Sequence, residues 1–210
     1  MVPVIRKFDR LSIEFPEKEI FLRLGGNCFK TTFDDDYRLR YTGLSRKLFA
    51  LCEAQGRFTV LPISAICQNG VETSDGFLEL GTQFCSRAAN AAALWCGAVT
   101  IGKKLTDWRD NSSGIAESAI ADAVGSECAD AAMDVLCKIA ETDLRRSGLL
   151  LDKHRFSPGY GDMPLALQQF FYRKLEMPQM GITLNKNNFL LPEKSVTAFA
   201  FIRSTQENQQ

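Results

Sequence analysis

The 210 residues carry 25 basic and 25 acidic side chains, a formal net charge of zero, and an ordinary globular composition. That balance excludes the electrostatic footprint of a broad nucleic-acid or anionic-membrane binder, although a local basic patch stays open. The length fits one domain, or one core with a smaller lobe, able to bury a substantial interior without disulfides or metal.

The opening "MVPVIRKFDR" lacks the uninterrupted apolar stretch of a secretory signal. In "EFPEKEIFLRLG", Ile20, Phe21 and Leu24 stand at helical spacing before a Gly25-Gly26 stop, and "TGLSRKLFALCEAQG" repeats the form with Leu44, Leu48 and Leu51 before Gly56. Between them the "DDD" at 34–36 lacks the spaced ligands of a calcium loop and reads as a solvated turn. "RFTVLPISAI" reads as a strand interrupted at Pro62, hence near an edge or a bend, and "DGFLEL" alternates as a half-buried strand does.

From Thr82, "TQFCSRAANAAALWC" places Phe84, Ala88, Ala91, Ala92 and Trp95 along one stripe and predicts a helix leading into a buried strand at "GAVTIG". "KKLTDWRDNSSG" is polar and reads as a linker supplying caps. The next run, "IAESAIADAVGSECADAAMDVLCKIAETDLRR", predicts the longest helix, with Ile115, Ala119, Ala123, Cys128, Ala131, Val135 and Ile139 on its apolar face. Its small residues Ala123, Gly125, Ser126, Ala131 and Ala132 permit close approach of another backbone or a ligand. In "HRFSPGYGDMPLALQQFF", Asp162 is expected to cap a helix with Pro164 in its first turn and Leu167, Phe170, Phe171 and Leu175 as its buried stripe. "GITL", "NNFLL" and "SVTAFAFI" are strand candidates, with "PEKS" as a hairpin break between the last two.

The fold class predicted is α+β, helices packed on a mainly antiparallel sheet. Residues 1–80 form an N-terminal helical and strand segment and 81–210 the core, read as one continuous domain. Seven cysteines without a C-x-x-C pair predict reduced thiols used as small core residues in a cytoplasmic protein. The longest uncharged run, between Arg87 and Lys103, is 15 residues and falls short of a membrane span. His154, the one histidine, offers no metal cluster, and no cysteine has a histidine placed as its base. Trp95 and Trp108 read as core or partial-core residues.

The loop at 154–164 combines two glycines, two prolines, an arginine fork suited to a carboxylate or phosphate, and a tyrosine. By composition it is a tight turn before a helix or a place where a ligand meets the backbone. "RFSPGYGDMPL" followed by "GITLNKNNFLLPEKSVTAFAFI" resembles the C-terminal signature of the activation domain of cobalamin-dependent methionine synthase. The matching positions are Arg155, Gly159, Tyr160, Pro164, residues 181–184, Pro192, Ser195 and Val196. "GAVTIG" and "DAVGSECADAAMD" extend the likeness over roughly residues 82–202, and the length suggests a stand-alone form.

That resemblance implies binding of S-adenosylmethionine for reductive methylation of cob(II)alamin, the cobalamin being carried by a methionine synthase or a related corrinoid protein. A flavodoxin-like or ferredoxin-like reductant is implied as well, in the service of methionine biosynthesis. It also implies that Arg155 pairs with the ligand carboxylate, that Phe156, Pro158 and Gly159 line the site, and that Tyr160 lies where ligand and corrinoid meet. Glu127 is the residue chosen for the ligand's ammonium group. The sequence offers no catalytic acid–base pair and no metal ligands of its own. Two alternatives stay open: reactivation of another corrinoid methyltransferase, and a docking module that has lost S-adenosylmethionine binding.

Overall fold

The computed structural model describes residues 4–26 and 35–205, the side chains of 35–38 excepted. Cys28, Asp34 and the side chains of Asp35 and Asp36 therefore lie outside the described residues. The strands are β1 (Arg6–Phe8), β2 (Gln55–Ile66), β3 (Gly70–Thr73), β4 (Gly76–Glu79), β5 (Ala93–Thr100), β6 (Leu149–Leu151), β7 (Thr183–Leu184), β8 (Leu190–Leu191) and β9 (Ser195–Ser204). The helices are α1 (Glu17–Arg23), α2 (Asp35–Phe49), α3 (Thr82–Cys85), α4 (Lys104–Asp110), α5 (Ile115–Arg145) and α6 (Gln168–Lys174).

The main sheet runs β4-β3-β2-β5-β9-β6, with β1 on the flank of β2, and every pairing in it is antiparallel. The protein is thus α+β, with helices on a mainly antiparallel sheet. No helix among the described residues is long and apolar enough to cross a membrane.

Central strand β5 is buried along its whole length because each of its faces meets a different core. Leu94, Cys96 and Ala98 join Phe199, Phe201 and Phe171 under α6. On the opposite face Ala93, Trp95 and Val99 join Ala198 and Ala200 under α5. The α5 side is built from small residues: Ala93, Ala198 and Ala200 of the sheet meet Ala132 and Ala140 of the helix. A helix lies close on such a surface, and α1, α2 and α4 then pack on α5 rather than on the sheet.

Several local expectations are corrected. The helix predicted over 82–96 stops after α3 and a single tighter turn at Ser86–Ala88; Asn90 turns left-handed at φ 61°, and Ala93 to Cys96 belong to β5. Pairing with β2 and β9 on both sides overrides the helical preference of that alanine run. The polar stretch after Gly102 is helix α4, anchored by the fully buried Leu105.

α5 exists as predicted and its expected stripe is buried in part, with Ala123 and Cys128 buried and Ala131, Val135 and Ile139 half-buried. Ile115 is 91% exposed and Ala119 is exposed, whereas Ala121, Val124, Ala129, Ala132, Met133, Leu136 and Ala140 are buried. The hairpin is β7–β8, not "PEKS": Asn185 turns it by accepting the backbone N–H groups of Asn187 and Phe189, and β9 pairs with β5 and β6 instead. Pro62 sits in a central strand, next to a register shift between Ile63 and Ala65. β1 ends its pairing at Phe58 and β3 begins at Ile63, so the proline falls in the gap where no partner asks for its missing N–H.

The six described cysteines are free, and Cys85, Cys96, Cys128 and Cys137 are buried. Trp95 is fully buried and Trp108 half-buried.

The close seat of α5 has a measurable consequence. Ala132→Leu, which forces new volume between helix and sheet, is expected to cost about 1–3 kcal/mol in urea unfolding. Ile115→Ser, on the face the sequence pattern favoured, should change stability by less than about 0.5 kcal/mol. The reverse ranking would contradict the observed burial of Ala132 and exposure of Ile115.

Candidate ligand-binding site

The chain leaves β6 along the sheet edge and is tied back to β9 by paired backbone bonds, Phe156 N–H to Phe199 O at 2.9 Å and Phe199 N–H to Phe156 O at 2.8 Å. Side chains of this segment part to two sides. Arg155 turns to α5, where its Nη1 donates to Asp134 Oδ1 at 2.6 Å and lies 3.6 Å from Cys137 Sγ. Phe156 turns the other way, into the core under α6, with its ring 4.7 Å from that of Phe84 and 5.5 Å from that of Phe199.

Arg155 is held but not exhausted. Among the described residues its contacts use Nη1 alone, so the edge formed by Nε and Nη2 keeps two parallel N–H groups in the geometry that a carboxylate accepts. It borders a groove of about 190 Å³ between α5 and residues 151–155. Burial pushes the Cys137 thiol up, against the opposing charge of Arg155, so the group beside the fork stays neutral.

The neighbouring surface of α5 is an acidic strip. Glu127, Asp130 and Asp134 follow at three- and four-residue steps, the spacing that stacks side chains on one helix face. Arg23, reaching over from α1, is hydrogen-bonded to Glu127 and stands 3.8 Å from Asp130. Partial burial, followed by repulsion from Glu127, holds the Asp130 carboxyl above the usual carboxylate range; Arg23 and Arg155 oppose this without cancelling it. Two arginines thus bracket three carboxylates, and the middle one is left short of positive charge.

The other loop residues are built in for reasons the sequence did not show. Gly159 and Gly161 have φ of 88° and 61°, a region that favours glycine. A Cβ on Gly159 would meet Leu165 at 3.0 Å, and one on Gly161 would meet Gln83 at 3.0 Å, so the missing side chains make room for protein. Pro158 is buried beside them. Asp162 does not cap the helix that follows it. Its carboxylate accepts the backbone N–H of Thr82 at 2.7 Å and the Thr82 hydroxyl at 2.7 Å, and so fastens the loop to the start of α3, 80 residues back in the chain. These bonds hold Asp162 below the usual carboxylate range. Tyr160 is left at the crest, 69% exposed, its ring 6.4 Å from Phe84.

The structure therefore gathers Arg155 and the acidic strip at one side, and Phe156 and Tyr160 at the other. Glu127 is engaged by Arg23 and lies seven residues along α5 from Asp134, the residue that Arg155 contacts. At the rise of an α-helix that separation is about 10 Å. Asp130 and Asp134 were not singled out by sequence reasoning. The signal that could have found them is their helical spacing from Glu127.

No protein-family model matches the chain, and no curated protein sequence does. Among solved structures, the MetH reactivation domain bound to AdoHcy matches at a TM-score of 0.63 and 12% identity, covering 99% of this chain and 80% of that one. The present chain shares that fold.

The strain on Asp130 fixes a sign. A carboxyl whose pKa is raised by folding releases its proton more readily in the unfolded chain, so its charge disfavours the fold as pH rises above the unfolded value of about 3.9. Asp130→Asn is expected to raise the melting temperature at pH 7, with the gain fading toward pH 3. A destabilised variant at pH 7 would contradict the crowding of negative charge on this strip.

Proposed function

We propose that this chain binds S-adenosylmethionine by its amino-acid end and presents the methyl group to cob(II)alamin carried by a methionine synthase or a related corrinoid protein. The observation that carries the reading is the half-free Arg155 fork beside an under-neutralised acidic strip, in a fold shared with a domain solved with AdoHcy. In the proposed reaction one external electron and the methyl group of the sulfonium convert cob(II)alamin to methylcobalamin, leaving S-adenosylhomocysteine. The chain's own residues hold, orient and expose; the electron comes from a flavodoxin-like or ferredoxin-like donor.

The ligand carboxylate takes the Nε–Nη2 edge of Arg155, while Asp134 keeps the guanidinium oriented through Nη1. Carboxylate and ammonium of an amino acid share one carbon, so the acceptor for the ammonium must lie within about one helical turn of the arginine's contact. Asp130 meets that condition, one turn from Asp134. Glu127, two turns away and bonded to Arg23, serves as the far post of the strip instead. Discharging Asp130 also relieves the repulsion that folding imposes on it, a favourable contribution to binding that a neutral site lacks.

The Phe156 ring faces the core under α6 and does not meet a ligand held by Arg155, which leaves the backbone at Pro158-Gly159 as the nearest wall of the loop. Tyr160, fixed below by Phe84 and open above, is the contact for the partner's corrinoid.

Calorimetry with S-adenosylmethionine tests the reading. Arg155→Ala is expected to lose about 1.5–3 kcal/mol, the range for hydrogen bonds to charged groups. Arg155→Lys should also weaken binding, because an ammonium cannot form the two parallel bonds. Asp130→Asn should weaken it more than Glu127→Gln. Affinities equal to wild type throughout, or no wild-type binding, would remove the ligand from this site and favour a docking module.

Tyr160→Ala is expected to leave that affinity intact. It should nevertheless slow the return of the partner's cob(II)alamin spectrum to methylcobalamin in the presence of reductant. Unchanged recovery would remove Tyr160 from the corrinoid face.

A further inference from the structure

On the side of the 152–156 segment away from α5 lies a second groove, of about 350 Å³, formed by the turn at 86–89, residues 152, 154 and 156, and Arg203 of β9. We propose that it binds a phosphate group, with Arg87 as the principal ligand and His154 as the second. The inference stands independently of the S-adenosylmethionine reading, since none of these side chains touches the acidic strip.

Arg203 mainly builds the site and keeps one N–H for the ligand. Its Nε and Nη2 donate to the two carboxylate oxygens of Asp152 at 3.2 and 2.9 Å. Nη2 also donates to the Arg87 carbonyl at 2.6 Å, and Nη1 bonds the Ala89 carbonyl. Four of its five N–H groups are therefore spent. Those bonds fasten the backbone of the 86–89 turn to the sheet edge and fix the point from which the Arg87 side chain departs.

Arg87 itself has no carboxylate partner among the described residues. Its guanidinium lies over the Phe156 ring, 5.6 Å from the centroid, a contact that orients the plane of the fork while leaving its N–H groups at the rim. His154, exposed, lines the same groove. Two guanidiniums against the single carboxylate of Asp152 leave an excess positive charge before the imidazole is counted.

The donor set selects among anions. A guanidinium fork satisfies two oxygens of an anion, and the imidazole together with the last free N–H of Arg203 addresses a third. A carboxylate has no third oxygen; a phosphate has. The phosphate can be free or part of an ester, and the two differ in charge and in the number of open oxygens.

The test uses the full chain and its single histidine. Because His154 is the only imidazole, its ring resonances are resolved without assignment, and they are followed by NMR during titration with inorganic phosphate and, separately, with dimethyl phosphate, ionic strength being held constant with chloride. A saturable shift is expected with at least one of the two. Tighter binding of inorganic phosphate identifies a free phosphate or monoester as the ligand, and tighter binding of dimethyl phosphate identifies a diester.

Arg87→Gln should weaken that binding by about tenfold or more, the loss of a charge-assisted pair, with Arg87→Lys intermediate. Arg155→Gln, on the opposite side of the segment, should leave it unchanged. A shift that never saturates, that chloride alone reproduces, or that survives in Arg87→Gln overturns the proposal.

Discussion

A long helix lying close on an alanine-rich sheet face is the constraint on which the rest of this structure depends. Ala93, Ala198 and Ala200 offer the helix no protruding side chains, and Ala132 and Ala140 return the same courtesy from α5. Larger residues go elsewhere: Phe199 and Phe201, which alternate with those alanines along β9, fill the opposite core. With α5 so placed, α1, α2 and α4 find their buried surface on its outer side, around Ala121, Val124 and Cys128. Gly125 belongs to the same economy of space, since a Cβ there would stand 3.0 Å from both Leu105 and Lys194.

The candidate site is a consequence of that seating. Once the apolar stripe of α5 faces sheet and helices, Glu127, Asp130 and Asp134 emerge together along its flank. The two arginines that reach them come from unrelated elements, α1 and the segment following β6. A pair of like charges one turn apart is unfavourable on any helix, and partial burial makes it worse. The structure tolerates it at Asp130 with a loose contact from Arg23, the more distant charge of Arg155 and exposure to water. Across that segment, by contrast, the excess charge is positive, at Arg87 and Arg203. One short segment thus separates two surfaces of opposite sign.

Much of the fold was legible where one periodicity rules a stretch. α5 declared itself by length, and β9 by its β-branched and aromatic residues. Reading failed where pairing partners decide. Alanines 91 to 93 are helix formers, yet β5 takes the last of them because β2 and β9 stand ready on both sides. On α5 the sequence found Ala123 and Cys128 but missed Ala121, Ala129, Ala132 and Ala140, because alanine occurs on several of its faces and only the packed neighbours distinguish them. Asp162 looked like a local cap, but its bonds run to Thr82 and Gln83, a link that spacing along the chain does not encode.

The site was legible in part. Arg155, Phe156, Pro158, Gly159 and Tyr160 form a contiguous stretch, and their shared loop was plain. Which side each faces was not, since the alternation that sends Arg155 to α5 and Phe156 to the other core depends on the bridge to Phe199. The acidic partner was expected at Glu127, which the structure engages with Arg23 two turns from the residue that Arg155 contacts.

The central claim is that Arg155 and the acidic strip of α5 together hold the amino-acid end of S-adenosylmethionine. A crystal structure with S-adenosylhomocysteine tests it most directly. The account predicts the ligand carboxylate on Nε and Nη2 of Arg155, with the ammonium within hydrogen-bonding distance of Asp130. Ligand bound elsewhere, or an ammonium directed away from α5 while Arg155 contacts only Asp134 and Cys137, would contradict it.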